Sequence, residues 1–538
     1  MKKSISPAAA ARPAPFSPVP ARTGIERYFA WTAIFFLSGT ACVALAAMIH
    51  LVVWPYTIEH GEGGCVLSVW RWAAGARLYA DAAAGQVPTY NYPPLYAMLL
   101  RLGISSSAPF LAGRAINFAA ILGVAMMVWF FVHRATGDRS AALAASLLTL
   151  VFPETVRCGP TVRVDGLAVF LSVACLLAGW RFAESRAGLV AAALLGTAAW
   201  LSKQTAVVAP AALFLWLLIQ RPQVRSAECG PLQAGEGGEG AARWANAAWF
   251  AGCYVFFMAA AIGLAELLTK GLFLKNVLFY SVSVYSWPLL AGWLEWYATE
   301  DRPVHFIAMA GLVLGLFGGR QGKWRESPAV FYLLVCLASL AALGKIGSSR
   351  AYFLEFDAAC AIGLGGGVGL IRGRAAAARA RSYLAAGLLG AGVLSILAIP
   401  GLVSDNFDDL PLGVQAAEVG VFRRARGPFL VEDCGFAISA GRTDLDLINP
   451  FLANQLFRRG LLDPAPYIAN VRNGRYSLIV LDSLAERPDQ NTSDRFPRAL
   501  LEQISRSYRM VGRIGPMHFY SYRPLFKGPA PAEAGKGP

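Results

Sequence analysis

The chain has 538 residues, of which 56% are hydrophobic and only 15% charged, and its formal net charge is +15. A soluble domain carries about a quarter charged residues, so this composition excludes an ordinary soluble protein. The basic residues lie in short clusters between apolar blocks, which is the positive-inside pattern of membrane proteins and argues against a nucleic-acid-binding surface.

The cysteines and histidines show no metal-binding pattern. The nine cysteines include no CxxC pair, and the five histidines form no HxxxH motif. We therefore predict no metal ligands and no cofactor, although the sequence leaves a requirement for a divalent metal open.

The N-terminal part predicts a tail and a first membrane helix. Residues 1–27 are rich in proline, alanine and serine and carry several basic residues, as is typical of a disordered cytoplasmic tail. The apolar run Phe29–Trp54 can cross about 30 Å of hydrocarbon and is longer than the apolar core of a cleaved signal peptide. Apolar residues at helical spacing in 66–79 predict a helix on the membrane surface or a loop packed on the protein.

Apolar blocks predict about eleven membrane crossings within a membrane domain at 28–401. After the first crossing and a short apolar helix that starts at Pro93-Pro94, the blocks are Phe110–Val132, Ala141–Phe152, Asp165–Phe182, Gly188–Leu201, Ala206–Ile219, Trp249–Leu268, Val304–Phe317, Ala329–Leu343, Tyr352–Leu370 and Tyr383–Ile399. The basic clusters share one side with the N-terminal tail, which predicts a cytoplasmic N-terminus. An odd number of crossings then places the C-terminus in the periplasm, for a multi-pass protein of a bacterial inner (plasma) membrane.

Residues 402–525 mix polar and apolar positions as a soluble domain does. The runs 427–431 and 476–482 are predicted to be buried strands, 497–508 an amphipathic helix with proline in its first turn, and 517–522 a late strand. The predicted fold is therefore a polytopic α-helical membrane protein with a small periplasmic α/β domain, which a disordered tail at 526–538 follows. The α/β domain contains no recognisable catalytic set.

Charged groups stand at the outer ends of several predicted helices, where burial costs several kcal/mol unless they are paired or hydrated. The functional candidates are the charged residues Glu59, Glu62, Arg163, Asp165, Lys203, Lys345 and Arg350, together with their polar neighbours Gln204 and Tyr352. Simpler interpretations exist for each of them. Asp165 could only cap its helix, the cations could anchor helix ends at the interface, and the two glutamates could be solvated loop acids.

Together these residues suggest sugar transfer. A carboxylate beside an acceptor hydroxyl can act as a general base, and lysine or arginine can hold a phosphate leaving group. Glu59 and Glu62 lie three residues apart, so on a helical turn both could point toward one pocket. Asp165 could orient the acceptor or support the base.

The same segments resemble GT-C glycosyltransferases, in particular bacterial members similar to protein O-mannosyltransferases and aminoarabinose transferases (glycosyltransferase family 39 and the Rgt-type group). The runs 62–81 and 90–96 resemble the first outer loop of that family, and Arg163-Val164-Asp165 resembles its second acidic motif. Leu201–Gln204 resembles its lysine motif, and Arg350–Leu354 its later arginine–tyrosine motif. The C-terminal domain would be a family-variable appendage.

The resemblance implies a polyprenyl-phosphate-sugar donor and a glycan, lipid or protein acceptor. It also implies a reaction that inverts the anomeric carbon and a protein that is in contact with membrane lipids. In relatives the loop often has an aspartate directly before the glutamate, whereas here Gly61 stands before Glu62. The catalytic base would therefore be either Glu62 or Glu59. Asn91 stands where many relatives have a glutamate, so a metal site built on that glutamate would be missing here. Substrate binding would involve Arg163, Lys203, Gln204, Lys345, Arg350, Tyr352 and Tyr92.

An alternative function is a multi-pass transporter or lipid flippase with an extracytoplasmic sensor or binding domain. Transporters usually show internal repeats and interrupted helices at the midplane. This sequence shows no repeat, and its polar groups gather on one face, so sugar transfer is preferred. Neither the sugar (hexose or pentose), the acceptor nor the oligomeric state follows from the sequence.

Overall fold

The structure is a computed structural model that describes residues 24–220, 236–300, 327–372, 411–482, 484–487 and 495–523. Within these ranges three helices are long and apolar enough to cross a membrane: Trp31–Val52, Leu111–Thr136 and Trp244–Thr269. Shorter apolar helices lie between and after them. The predicted crossings at 304–317 and 383–399 and both predicted tails fall wholly or largely outside the described residues, so the count of eleven stays a prediction.

The α-helices described within the first 372 residues differ widely in length. In chain order they are α1 Gly24–Val52, α2 His60–Ala73, α3 Pro94–Gly103, α4 Leu111–Thr136, α5 Arg139–Val151, α6 Pro153–Cys158, α7 Asp165–Arg181, α8 Arg186–Ser202, α9 Val208–Ile219, α10 Glu236–Thr269, α11 Leu272–Leu274, α12 Trp287–Glu300, α13 Ala329–Ser339 and α14 Phe353–Arg372.

Local sequence explains where these helices turn. Gly137 ends α4 in the left-handed region, at φ 67°, which glycine adopts without steric cost. Asp138 then caps α5, because its Oδ1 accepts hydrogen bonds from the backbone N–H groups of Ser140 and Ala141. The two helices consequently form a tight antiparallel hairpin.

Small residues let the helices approach closely, as membrane helices require. A Cβ atom at Gly123 in α4 would lie 2.6 Å from the ring of Phe170 in α7. A Cβ atom at Gly179 in α7 would collide with Leu213 in α9. The bundle therefore has a continuous apolar core that extends from α1 to α14.

The C-terminal region, residues 411–523, contains a four-stranded sheet. Its strands are β1 Phe429–Val431, β2 Leu478–Leu481, β3 Tyr508–Ile514 and β4 Met517–Tyr522. The order is β1-β2-β4-β3; β1 and β2 are parallel and the other pairs antiparallel. Its helices are α15 Leu412–Arg424, α16 Gly435–Ser439, α17 Pro450–Arg458, α18 Ala465–Arg472 and α19 Arg498–Ser507.

The strands predicted at 427–431, 476–482 and 517–522 are present, and so is the helix predicted at 497–508. Strand β3 was not predicted, although its residues alternate in burial along much of its length. The boundaries 402 and 525 stay a prediction.

The first loop, residues 55–92, packs on the C-terminal region. Val66 and Val69 of α2 share one buried cluster with Phe429 and Phe436. The two interpretations of 66–79 are each right in part, because α2 is a helix, as the first predicted, and it packs on the protein, as the second predicted. Because apolar burial stabilises by about 25 cal/mol per Å², this shared core fixes the C-terminal region against the loop.

Candidate functional site

The predicted site residues meet where the first loop approaches the segment before α7. Glu59 is the N-cap of α2, with extended backbone angles (φ −152°, ψ 138°), and its Oε2 accepts a hydrogen bond from the Gly61 N–H at 3.0 Å. Its side chain is 36% exposed. Glu59 is therefore a carboxylate that an incoming substrate can reach.

Arg163 joins the two acidic elements of the site. Its Nη2 lies 3.0 Å from Glu59 Oε1 and its Nε 3.2 Å from Glu59 Oε2, a bidentate pair. Its Nη1 donates to Ser349 Oγ at 2.8 Å and lies 3.9 Å from Asp165 Oδ2. Burial lowers the pKa of Arg163, but the charges of Glu59 and Asp165 outweigh this effect and raise it overall.

Asp165 and Lys203 continue this chain of alternating charges. Lys203 Nζ lies 2.6 Å from Asp165 Oδ1, and both side chains are largely buried. The ammonium group also lies 3.9 Å from the centre of the Tyr352 ring, a cation–π contact. Asp165 is thus not accessible enough to take a proton from an acceptor, and its geometry suits a supporting role.

Glu62 does not share the pocket of Glu59. It is fully buried, and its Oε1 and Oε2 lie 2.8 and 2.7 Å from Nε and Nη2 of Arg114. Both oxygens accept a further backbone hydrogen bond, from the N–H groups of Val162 and Ile58 respectively. The expectation that both glutamates point into one pocket is therefore wrong, because an N-cap residue lies outside the helical register that Glu62 follows.

Arg114 is the important residue that sequence reasoning missed. Besides Glu62, it donates to the carbonyl oxygens of Leu51, Trp54 and Tyr56, so that it joins α4 to the end of α1 and the start of the first loop. A signal was available. A single arginine inside the apolar block at 110–132 has to be paired, so an acidic partner at the same end of the bundle could have been sought.

Two further cations, Lys345 and Arg350, lie close to this cluster. Burial lowers the pKa of Lys345, and the nearby charge of Lys203 lowers it further. The Arg350 guanidinium lies 4.2 Å from the centre of the Trp296 ring. Among the described ion pairs neither cation has a carboxylate partner, so both are available for an anionic ligand.

Tyr92 and Gln204 complete the site from the end of the first loop and from the turn after α8. Burial raises the pKa of the Tyr92 hydroxyl to about 12, and the charges of Arg163, Asp165 and Lys203 act on it from close range. Gln204 Nε2 donates to the Asn91 carbonyl oxygen at 3.3 Å. All ten predicted site residues are therefore located, and Glu62 alone is turned away into the protein.

Metal ligands do not cluster in the part of the chain that the structure describes. No group of three or more histidine, cysteine, aspartate or glutamate side chains there has a metal-binding arrangement. Asn91 offers only its backbone oxygen to Gln204 and Ser281. What the site does present is one reachable carboxylate beside several cations, a combination suited to proton transfer and to phosphate binding.

Comparison with known proteins agrees with this geometry. Residues 91–229 match the family described as dolichyl-phosphate-mannose-protein mannosyltransferase. No curated protein matches in sequence.

Solved structures share the fold over nearly the whole chain. The structure of ArnT from Cupriavidus metallidurans bound to undecaprenyl phosphate has a TM-score of 0.59 at 12% identity, covering 92% of this chain and 99% of that one. The apo form of ArnT has a TM-score of 0.57 at the same identity and coverage. A third structure is the archaeal oligosaccharyltransferase AglB from Archaeoglobus fulgidus in complex with an inhibitory peptide and a dolichol-phosphate. Its TM-score is 0.51 at 12% identity, and the match covers 93% of this chain and 75% of that one. Residues 91–229 thus match that family model, and the chain as a whole has the fold that ArnT and AglB share.

Proposed function

We propose that this protein transfers a hexose or pentose from a polyprenyl-phosphate-linked donor to a glycan, lipid or protein acceptor at the outer face of a bacterial inner membrane. The observation that carries the proposal is the reachable carboxylate of Glu59, which Arg163 holds in the charged cluster that includes Asp165 and Lys203. The charge of Lys203 acts on Lys345, and neither Lys345 nor Arg350 has a carboxylate partner among the described residues. The GT-C fold supports it, since ArnT of that fold was solved with undecaprenyl phosphate.

The geometry suggests a single inverting displacement. The acceptor hydroxyl attacks the anomeric carbon while its proton passes to a Glu59 oxygen, and the bond from that carbon to the phosphate oxygen breaks. The leaving phosphate gains negative charge, which Lys345 and Arg350 stabilise. Arg163 holds Glu59 in place, and the Asp165–Lys203 pair holds Arg163.

The direct test uses the purified full-length protein with a panel of radiolabelled hexoses and pentoses, each linked to undecaprenyl phosphate. Membrane lipids, glycans and proteins from the producing cell serve as acceptors. Incorporation of label from one donor into one acceptor class supports the proposal. A panel in which no donor is consumed, while undecaprenyl phosphate still binds, argues for a transporter or flippase instead.

Removing the two cations is expected to weaken donor binding. A hydrogen bond to a charged group contributes about 1.5–3 kcal/mol, so Lys345→Ala and Arg350→Ala should each raise the dissociation constant for undecaprenyl phosphate about tenfold or more. Equilibrium binding in nanodiscs measures the change.

Arg186→Ala is the matched control for Arg350→Ala. Its guanidinium also lies over a tryptophan ring, 5.2 Å from the centre of Trp249, but at the opposite end of α8 from Lys203. Equal affinity of Lys345→Ala, Arg350→Ala and the parent for undecaprenyl phosphate would show that the two cations only anchor helix ends.

The proposed topology has its own test. A reporter enzyme that is active only in the periplasm should give a signal when fused after Pro400 and none when fused near Arg225. The reason is that basic segments stay in the cytoplasm while an odd number of crossings exports the C-terminal region. A signal at Arg225 would contradict both the helix count and the assignment of the site to the outer face.

A further inference from the structure

His60, the residue after Glu59, points away from the proposed catalytic site and into the C-terminal region. Its Nδ1 lies 3.1 Å from Asp433 Oδ2, and its Nε2 lies 3.3 Å from Asp482 Oδ2. One imidazole therefore bridges two carboxylates, and its side chain remains 42% exposed. Adjacent residues of the first loop thus face two different parts of the protein.

The two aspartates are brought together by the sheet. Asp433 follows β1 and Asp482 follows β2, and because these strands are parallel their carboxyl ends lie side by side. Arg495 Nη1 lies 2.8 Å from Asp482 Oδ2 and 3.5 Å from Glu432 Oε1. Glu432 in turn accepts a hydrogen bond from the Asp482 N–H at 2.8 Å. The carboxylates that face His60 are therefore tied to the sheet and to Arg495.

The backbone before Glu59 is held by the same region. Gln415 in α15 accepts a hydrogen bond from Trp54 Nε1 at 2.8 Å and donates one to the Thr57 carbonyl oxygen at 3.1 Å. Thr57 Oγ1 then donates to the carbonyl oxygen of Glu59 at 3.1 Å. This chain of hydrogen bonds connects the C-terminal region to the backbone of the proposed base.

The backbone after Glu59 is held by close packing. A Cβ atom at Gly63 would lie 2.5 Å from the Gly435 nitrogen, so the start of α2 and the start of α16 touch through backbone atoms. At the other end of α2, Arg71 Nη2 donates to the carbonyl oxygens of Thr443 and Leu445 at 2.8 and 2.9 Å. The whole of α2 is therefore fixed to the C-terminal region.

We infer that the C-terminal region positions the proposed catalytic base, and that His60, Asp433, Asp482 and Arg495 are the positioning residues. They act through the backbone of residue 59 and do not touch the reacting atoms. The inference rests on the proposed function of Glu59. A displacement of about 1 Å in a reacting group can cost up to about a hundredfold in rate, so a fixed backbone here bears directly on turnover.

The charge of His60 strengthens this contact. The charged groups that face it are Asp433, Asp482 and Arg495, with Glu432 and Glu418 behind them. Burial lowers the pKa of His60 and Arg495 lowers it too, but the charge and hydrogen bond of Asp433, with the charge of Asp482, raise it to about 9. Because this pKa lies above the usual histidine value of 6.5, the stabilisation from the charged imidazole is complete below pH 6.5 and is lost as the pH rises through 9.

The experiment compares the full-length parent with His60→Ala, His60→Arg and Arg495→Ala, and with Arg506→Ala as the exposed control in α19. Two quantities are measured: hydrogen–deuterium exchange of the backbone at 57–64, and kcat and KM for transfer from the polyprenyl-phosphate donor. We expect His60→Ala and Arg495→Ala to speed exchange and to lower kcat about tenfold or more, with KM for the donor unchanged.

His60→Arg keeps a charged donor between the two carboxylates, so it should restore kcat and should retain its rate above pH 9, where the parent declines. Unchanged exchange in both His60→Ala and Arg495→Ala, or faster exchange with the parent's kcat, would overturn the inference. A parent that transfers no sugar counts against the proposed function. Exchange alone then decides whether the C-terminal region holds the loop, and Arg495→Ala provides that answer even if His60→Ala does not fold.

Discussion

Replacing Glu59 by glutamine should lower sugar transfer about a hundredfold or more while the amount of folded protein stays normal. General-base assistance is typically worth about 10²–10⁴ in rate, and glutamine keeps the size of the side chain but cannot take the acceptor proton. Glu59 is the carboxylate of the site that substrate can reach, whereas Asp165 is buried against Lys203. Single-turnover transfer from a radiolabelled donor measures the chemical step.

Glu62→Gln is the matched control, because it makes the same chemical change three residues away. We expect it to reduce the yield of folded protein, since it removes the charge that pairs with Arg114. Transfer at the parent's rate by Glu59→Gln would exclude Glu59 as the base. If the Glu59→Gln/Glu62→Gln double variant and Asp165→Asn also transferred normally, the carboxylate mechanism would have to be abandoned.

Breaking the Glu62–Arg114 pair should destabilise the protein by about 3–5 kcal/mol, because removing one partner leaves the other charge buried without compensation. Both side chains are fully buried. Glu62→Ala also leaves the N–H groups of Ile58 and Val162 without their acceptor. Total stabilities are commonly about 5–15 kcal/mol, so this loss should be visible as poor recovery of monodisperse protein.

Unfolding midpoints in detergent, measured for Glu62→Ala, Arg114→Leu and the double variant, test this expectation. The double variant should lose less than the sum of the two single variants, because it no longer contains an isolated charge. Arg101→Ala is the control: this arginine lies over the Trp72 ring at 4.4 Å, and its loss should change stability by about 0.5 kcal/mol or less. An Arg114→Leu variant as stable as the parent would contradict the structural role given to this pair.

The sequence by itself determined the features that depend on local pattern. The length and apolarity of the blocks around α1, α4 and α10 predict membrane helices, because the bilayer sets a minimum length that no other constraint imposes. Periodicity likewise predicted strands β1, β2 and β4. The resemblance to GT-C enzymes rested on short motifs, and both the match of residues 91–229 to the mannosyltransferase family model and the fold shared with ArnT agree with it.

Only the tertiary structure decided which glutamate is available. Spacing alone put Glu59 and Glu62 on one face of a helix, but the first is an extended N-cap residue and the second lies inside the first turn. Their roles depend on partners far along the chain: Arg163 is 104 residues from Glu59, and Arg114 is 52 residues from Glu62.

The partners of His60 in the C-terminal region are separated from it by even more of the chain, since Arg495 lies 435 residues away in sequence. No local pattern in the first loop indicates that parallel strands near the end of the chain would place two aspartates beside it. Charge pairing at such separations is decided by how the elements pack, because a carboxylate is equally compatible with solvent, a cap or a buried arginine until its neighbours are fixed. The sequence therefore predicted which charged residues lie near one another, and packing decided that Glu59 stays accessible while Glu62 is buried.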